Sequence, residues 1–460
     1  MTSVAAPEQK WAGALGLPPG PKGRPFIGSM LELRRDLLGF MTRMARQYGD
    51  VVLFHFLHIP VCLLAHPDDI ESILVKNSLR FVKSRDYRAL AGVMGDGLLT
   101  TEGEEWRRQR KLVQPAFYRD NILNYAKVMT DCTERAIGAW QDGGVFDVHQ
   151  EMMRLTLQIV ARCLFGADVS AQAHEVGEAL QVVMERFADY ARLAMVLPKW
   201  FRIPRVSKMG RAVRQLDAIL YAIIRQRRSQ NGSGESQDLL SLLLRAQDET
   251  GSTMDDRELR DEAMTLFLAG HETTALALSW TWYLLSQNPE VEEKLAGELQ
   301  QVLDGRVPSP GDLPGLRYTD RVLKESLRLY PPAWGIGRET LEGFEAGGYR
   351  LPAGTNVFIS PWVTHRDPRF FPHPERFDPD RWQNDSIRQG TLPRFAYFPF
   401  GGGPRVCVGA GFAQMESTLL LAAIAQGFRL TLVPGHPIAL LPSVTLRPKH
   451  GIRMVIHRRN

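Results

Sequence analysis

The sequence predicts a mainly α-helical protein with small β-sheets, and three observations carry that prediction. From about residue 68 to residue 328, most segments repeat apolar residues at helical spacing. Runs rich in β-branched and aromatic residues are short and few, which limits the sheets. Between residues 361 and 399 a Pro- and aromatic-rich coil leads into a glycine-rich segment, and long coils inside compact domains are usually functional.

The elements follow in order. After a polar, Ala-rich start, Leu17-Pro18-Pro19-Gly20-Pro21 is a stiff extended lead. Residues 51–66 read as a hairpin interrupted at His58-Ile59-Pro60. The helical region is broken at Gly95-Asp96-Gly97, Gly143-Gly144, Pro198, Pro204 and a Ser/Gly-rich surface loop over 230–236. Residues 261–285 form a long, largely apolar helical pattern, expected at the centre of the core. Short strands are expected around Gly347-Gly348 and Pro352-Ala353-Gly354, and again through Val444 to Ile456, after a helix that includes 413–423. No internal repeat and no linker between separately foldable halves is visible, so a single domain over 1–460 is expected, with 1–25 as its Pro-rich lead.

Composition narrows the class. The chain is 44% hydrophobic and 23% charged, an ordinary globular balance. Four scattered cysteines and no signal peptide argue for a reducing compartment, so a cytoplasmic location is expected. No stretch approaches the roughly 18 apolar residues that a membrane span needs. The net charge of +5 comes without low-complexity basic tails or aromatic-interleaved basic repeats, which speaks against nucleic acid. Its clearest cluster is Arg107, Arg108, Arg110 and Lys111, either a solvated helix face or a docking patch for an acidic protein.

The segment Phe400-Gly401-Gly402-Gly403-Pro404-Arg405-Val406-Cys407-Val408-Gly409 holds one cysteine among glycines. No second Cys or His lies within zinc-ligand spacing, so a paired-ligand zinc site is not expected. Gly401 and Gly403 permit backbone angles and close approach that a Cβ forbids, and Gly409 lets the chain pass tightly against a flat ring. Cys407 falls at or just before a helix N-terminus, where the dipole favours thiolate over thiol. Such a thiolate suits one axial bond to a haem iron. An inert cysteine in a glycine-rich loop is the alternative reading.

Inside the long apolar helix stand Ala269-Gly270-His271-Glu272-Thr273-Thr274. A buried helical glycine costs about 1 kcal/mol relative to Ala, which suggests close approach to the backbone at Gly270. Thr273 can bond back to the Ala269 carbonyl, and Glu272 with Thr273 supplies the carboxylate and hydroxyl that proton delivery needs. Helix packing explains the glycine equally well. Glu325 and Arg328 share a helix face, and Arg376 in the later coil offers a further guanidinium. Trp106 and Arg110, one turn apart, can together hold a carboxylate through indole N–H and guanidinium, or form an ordinary surface pair.

In order as well as kind, these pieces resemble the cytochrome P-450 superfamily of haem-thiolate monooxygenases. The matching marks are Trp106-x-x-x-Arg110, Ala269-Gly270-His271-Glu272-Thr273, Glu325-x-x-Arg328, Pro374-Glu375-Arg376-Phe377, and Phe400-Gly401 through Arg405 and Cys407 to Gly409. The Pro18-Pro19-Gly20-Pro21 lead is similar to the family's N-terminal hinge. The resemblance implies the family's fold, with haem b between a long helix and the cysteine loop. It implies Cys407 as axial metal ligand. Trp106, Arg110, Arg338 and Arg405 then hold the haem propionates, with Ala269, Gly270, Phe400, Gly401 and Gly409 close to the ring. Glu325, Arg328 and Arg376 become a structural triad, and Thr273 with Glu272 the oxygen-side pair that relays protons. Leu99, Ala269, Ala333 and Val444 match substrate-facing positions. Trp334 stands where many relatives carry Pro or a small aliphatic residue, which bears on the shape of the site.

All the substrate-facing positions are apolar, so a lipophilic substrate is expected. The Ala269–Thr274 string is similar to that of fatty-acid hydroxylases, which favours a fatty acid; a terpenoid or other secondary-metabolite scaffold is the alternative. A peroxide-driven or isomerising enzyme would need no oxygen-activating pair, and a haem sensor would need a signalling module that is not visible. No flavin or dinucleotide motif is present, so the implied partners are O2 and an external ferredoxin or flavodoxin with its reductase, docking near Arg107, Arg108 and Lys111. A monomer without nucleic acid is expected. The apolar segment 193–201 matches the substrate entrance of the family.

Overall fold

The structure, a computed structural model, describes residues 16–166, 179, 182–183, 207–229, 238–383 and 389–459. The segment 193–201 and the loop 230–236 lie outside the described residues, as do Pro198 and Pro204. What is described is mainly helical with small sheets, the class read from the sequence. It divides into two compact units, each assembled from separate stretches of chain.

The first unit comprises Met1–Arg85, Arg328–Arg376 and Gln383–Cys407. Its framework is a five-stranded sheet in the order Val51–Phe56, Ile59–Leu64, Asn356–Ile359, Ile336–Thr340, Phe81–Lys83. The first two strands form the expected hairpin, with Val51 opposite Leu64 and Phe56 opposite Ile59. The turn falls at Leu57-His58, one residue before the expected interruption, and Leu57 takes a φ of 55°. Cys62, Leu64, Ile70, Phe81, Val357 and Phe395 are among the side chains of its buried core. Phe344–Ala346 pairs with Tyr349–Leu351 around Gly347-Gly348, whose φ angles of 53° and 81° suit glycine.

The coil ahead of the cysteine is fixed by buried side chains of this unit. The Arg328 guanidinium donates to the carbonyls of His365 at 2.8 Å, Pro374 at 2.7 Å and Arg376 at 3.1 Å. His365 Nε2 in turn accepts the Phe398 N–H at 2.9 Å, two residues before the glycine-rich segment. Irregular backbone is thus satisfied by side chains where it has no ladder of its own.

The second unit comprises Asp86–Leu327, Phe377–Trp382 and Val408–Asn460. Its longest element is the helix Asp256–Gln287, 32 residues, longer at both ends than the apolar pattern indicated. A capping box starts it: Asp255 accepts from the Glu258 N–H and Glu258 from the Asp255 N–H. The helix Val148–Phe165 packs along it. The helix Ala410–Gly427 lies against Arg119–Gly138. Phe428–Leu432, Arg453–Arg458 and Val145–Asp147 make a three-stranded sheet, and Leu440–Pro442 with Leu446–Pro448 a separate hairpin. Among the described residues no helix is long and apolar enough to cross a membrane.

Candidate active site

The cysteine loop is built by close backbone contacts within the first unit. The Cys407 N–H donates to the Phe400 carbonyl at 3.0 Å, Val406 to Gly403 at 3.1 Å and Gly401 to Phe398 at 3.0 Å. Gly403 has φ 69°, and a Cβ there would stand 1.8 Å from the Leu74 carbonyl oxygen, so this position requires glycine. Cys407 is exposed, whereas Cys62, Cys132 and Cys163 are buried. Burial pushes the Cys62 and Cys163 thiols up, away from thiolate. Of the four sulfurs, only that of Cys407 is presented for a bond to something outside the chain. Gly409 is the N-cap of Ala410–Gly427, so the cysteine lies just before a helix start, as the sequence indicated.

Two guanidiniums belong to the same unit. Arg405 closes the short turn Gly403–Arg405 and donates to the Phe81 carbonyl at 3.0 Å. Arg338, on the strand Ile336–Thr340, is buried and donates to the Gly337 carbonyl at 2.9 Å. Phe400 is half-buried.

Glu325 and Arg328 lie on the helix Arg317–Leu329. The Glu325 carboxylate is fully buried and accepts from Arg381 Nε at 2.9 Å, Trp382 Nε1 at 2.9 Å and the Asp378 N–H at 3.0 Å. This corrects the expected triad in one member. Arg381 brings a guanidinium to Glu325, while the Arg376 side chain is exposed and its carbonyl accepts from Arg328. The short turn Pro379–Trp382 presents Arg381 and Trp382 side by side, which the Pro-Glu-Arg-Phe spelling did not reveal.

The helix Asp256–Gln287 is buried continuously from Leu259 to Trp282, with three exceptions: Ala269, Gly270 and Thr273. At positions i, i+1 and i+4 they share one face, so the helix opens at a single patch of small residues. Thr273 Oγ1 donates to the Ala269 carbonyl at 2.7 Å. A Cβ on Gly270 would come within 3.0 Å of Val160 Cγ2, so helix packing accounts for this glycine. Buried behind the patch, His271 Nδ1 sits 3.2 Å from the Phe267 carbonyl, and burial holds its ring below the usual histidine range. The neighbouring Glu272 is 2% exposed. Its Oε1 accepts from Thr445 Oγ1 at 2.7 Å and forms an ion pair with Arg447. Neither Thr445 nor Arg447 was identified from sequence; they lie 173 and 175 residues downstream with no motif to connect them.

In the same unit, Trp106 and Arg110 lie one turn apart on Gly103–Val113. Trp106 is part of the apolar cluster of this unit, and Arg110 is half-buried with Nε 3.3 Å from Gln114 Oε1. Leu99 and Val444 pack, half-buried, against that cluster. In the first unit Ala333 is exposed, and the Trp334 ring turns onto Phe358 with centroids 5.7 Å apart. Phe358 also explains Gly335, where a Cβ would meet its ring at 2.2 Å. The basic run is met within the chain: Arg107 pairs with Glu104, Arg108 with Asp248 at 2.7 Å and Glu258 at 2.5 Å, and Lys111 with Glu249 at 2.5 Å.

Comparison with known proteins agrees with these features. The family model of cytochrome P450 matches residues 18–453. Cyclooctatin synthase of Streptomyces melanosporofaciens is 40% identical over 432 residues, 93% of this chain and 92% of that protein. Cyclooctat-9-en-7-ol 5-monooxygenase of the same organism is 36% identical over 435 residues, covering 94% and 93%.

The matched family holds haem b through an axial cysteine thiolate, and the side chains of this chain fit that group. Cys407 is the exposed sulfur, and in the same unit Arg338 and Arg405 are guanidiniums of the kind that pair with propionates. Exposed Ala269 and half-buried Thr273, one turn apart, give the long helix a face of small side chains, which a flat ring at close approach requires. Among the described residues there is no group of three or more His, Cys, Asp or Glu that could hold a metal ion.

Proposed function

Since the chain belongs to the cytochrome P450 family and is a haem-thiolate monooxygenase, we propose that it oxidises an unsaturated carbocyclic alcohol or a related terpenoid scaffold, with Cys407 as the axial ligand. As a P450 monooxygenase it uses O2, electrons from redox partners and a lipophilic substrate. The observation that carries the substrate reading is the 40% identity, over nine-tenths of both chains, to the protein named cyclooctatin synthase. The second relative, named for oxidation of cyclooctat-9-en-7-ol, points the same way. A fatty acid is the second reading, favoured by the Ala269–Thr274 string alone.

When bound, the haem supplies oxygen activation and insertion of one oxygen atom into a C–H bond or double bond. The residues of the chain supply position, protons and dryness. Arg405 and Arg338 would hold a propionate, and Trp106 and Arg110 are read, by the family resemblance, as residues that would do the same. The Thr273 hydroxyl donates to the Ala269 carbonyl and keeps its lone pairs to accept from a water, which supports its reading as a relay group. The neighbouring Glu272 carboxylate, which is buried, is read as the second group of that relay. Leu99, Ala269, Ala333 and Val444 present apolar surface to substrate and exclude water. Electrons come from a separate ferredoxin or flavodoxin. Because Arg107, Arg108 and Lys111 are already paired with acids, they carry little free charge for that docking.

Titration of the haem-loaded protein with cyclooctat-9-en-7-ol and, separately, with lauric acid tests the substrate reading. The terpenoid reading expects a spin-state shift at micromolar alcohol and a hydroxylated product by mass. A shift with lauric acid alone would transfer the assignment to fatty acids.

A further inference from the structure

The hairpin Leu440–Pro442/Leu446–Pro448 is tied to the helix Asp256–Gln287 at two points. Trp280 Nε1 donates to the Leu446 carbonyl at 2.9 Å, a buried and purely structural bond. The second tie is Glu272, whose Oε1 takes both the Thr445 hydroxyl and the Arg447 guanidinium. Both donors go to Oε1, and no described residue donates to Oε2. Thr445 and Arg447 flank Leu446 on a chain whose turn carries Val444, and Val444 packs against the same apolar cluster as Leu99. Ser443 N–H closes this turn onto the Thr445 carbonyl at 3.0 Å, so Val444 stands between two residues bonded to each other.

We propose that Thr445 and Arg447 are positioning residues for Glu272, and that they join the substrate-side turn at Val444 to the oxygen-side carboxylate as one mechanical unit. The proposal rests on the reading of Glu272 as a proton-relay group and extends it. A molecule seated against Val444 sets where Thr445 stands, and Thr445 with Arg447 sets where Oε1 stands. Removing Arg447 leaves a buried carboxylate with one neutral donor, free to turn away from its relay geometry. The Trp280 bond keeps the strand in place when this happens, so the fold has a second anchor.

The experiment uses haem-loaded protein and four variants: Glu272→Gln, Arg447→Met, Arg447→Lys and the double variant Glu272→Gln/Arg447→Met. The first readout, hydrogen exchange without substrate, follows the amides of residues 440–448. About tenfold faster exchange is expected in Arg447→Met and Glu272→Gln, and near-normal exchange in Arg447→Lys. Wild-type exchange rates in both would overturn the proposal outright. The second readout is the share of electrons ending in peroxide during turnover with a surrogate ferredoxin and cyclooctat-9-en-7-ol. Each single loss is expected to raise that share about five- to tenfold, with no further rise in the double variant, because Arg447 acts through Glu272. Arg447→Lys should restore most of the coupling. If Glu272→Gln uncouples and Arg447→Met does not, the positioning role fails alone. If Glu272→Gln leaves coupling intact, the relay reading fails and this proposal with it.

Discussion

Arg381 Nε lies 2.9 Å from Glu325 Oε1, an ion pair between a fully buried carboxylate and a guanidinium 56 residues downstream. With Trp382 Nε1 and the Asp378 N–H on the same carboxylate, the short turn Pro379–Trp382 is pinned to the helix Arg317–Leu329 by three donors. Arg381→Ala should therefore destabilise the protein by about 3 kcal/mol, the cost of removing a charged partner from a buried carboxylate that keeps its other donors. Arg376→Ala, at an exposed side chain, should stay within about 0.5 kcal/mol. Denaturant unfolding of both variants separates the two arginines.

The cysteine loop should tolerate a methyl group at one glycine and not at another. Gly401→Ala meets only Ile336 Cδ1 at 3.7 Å, but its φ of 71° carries a strain of about 1–2 kcal/mol. Gly403→Ala adds a Cβ 1.8 Å from the Leu74 carbonyl oxygen to a similar strain. Haem content after purification is the measurement: a partial loss is expected for the first, and failure to retain haem for the second.

Thr273→Ala removes the hydroxyl that donates to the Ala269 carbonyl without touching the apolar packing of the helix. Product per electron consumed should fall about tenfold and peroxide should rise, with haem content unchanged. Full coupling in the variant would take Thr273 out of the relay.

A buried carboxyl sets a pH dependence. Burial pushes Glu416, on the helix Ala410–Gly427, from the ordinary 4.5 up to about 8. The unfolded chain releases this proton first, so the Glu416 contribution is fully present below about 4.5 and is lost as pH rises toward 8. His149 works oppositely: burial holds it down at about 4 against the usual 6.5, so its contribution is lost as pH falls through that window. Between pH 6.5 and 8 the Glu416 effect outweighs that of His149, and its contribution should fall by up to about 1.4 kcal/mol per pH unit. Glu416→Gln should flatten that slope in urea titrations of the haem-loaded protein.

Local signals made much of this legible from the sequence. The long helix announced itself by 25 residues of apolar pattern around 261–285, and the structure extends it to Asp256–Gln287 because Asp255 and Glu258 cap it reciprocally. The cysteine loop was readable because Gly403 and Cys407 are constrained by neighbours a few residues away. The partners of buried charges were not. Arg381 reaches Glu325, and Thr445 with Arg447 reach Glu272, across sequence distances that no spacing rule covers. Arg376 was the plausible guanidinium by motif, but the chain turns its side chain outward and its carbonyl accepts from Arg328. At Gly270 the packing alternative has a visible partner, since a Cβ there would come within 3.0 Å of Val160 Cγ2.

The central claim is that Cys407, the one exposed cysteine, holds the haem iron as thiolate. The carbon monoxide difference spectrum of the reduced protein tests it most directly. The account predicts a thiolate-type band in the wild-type protein that disappears in Cys407→Ser. A thiolate-type band that survives Cys407→Ser, or one that never appears in the wild-type protein with haem bound, would contradict it.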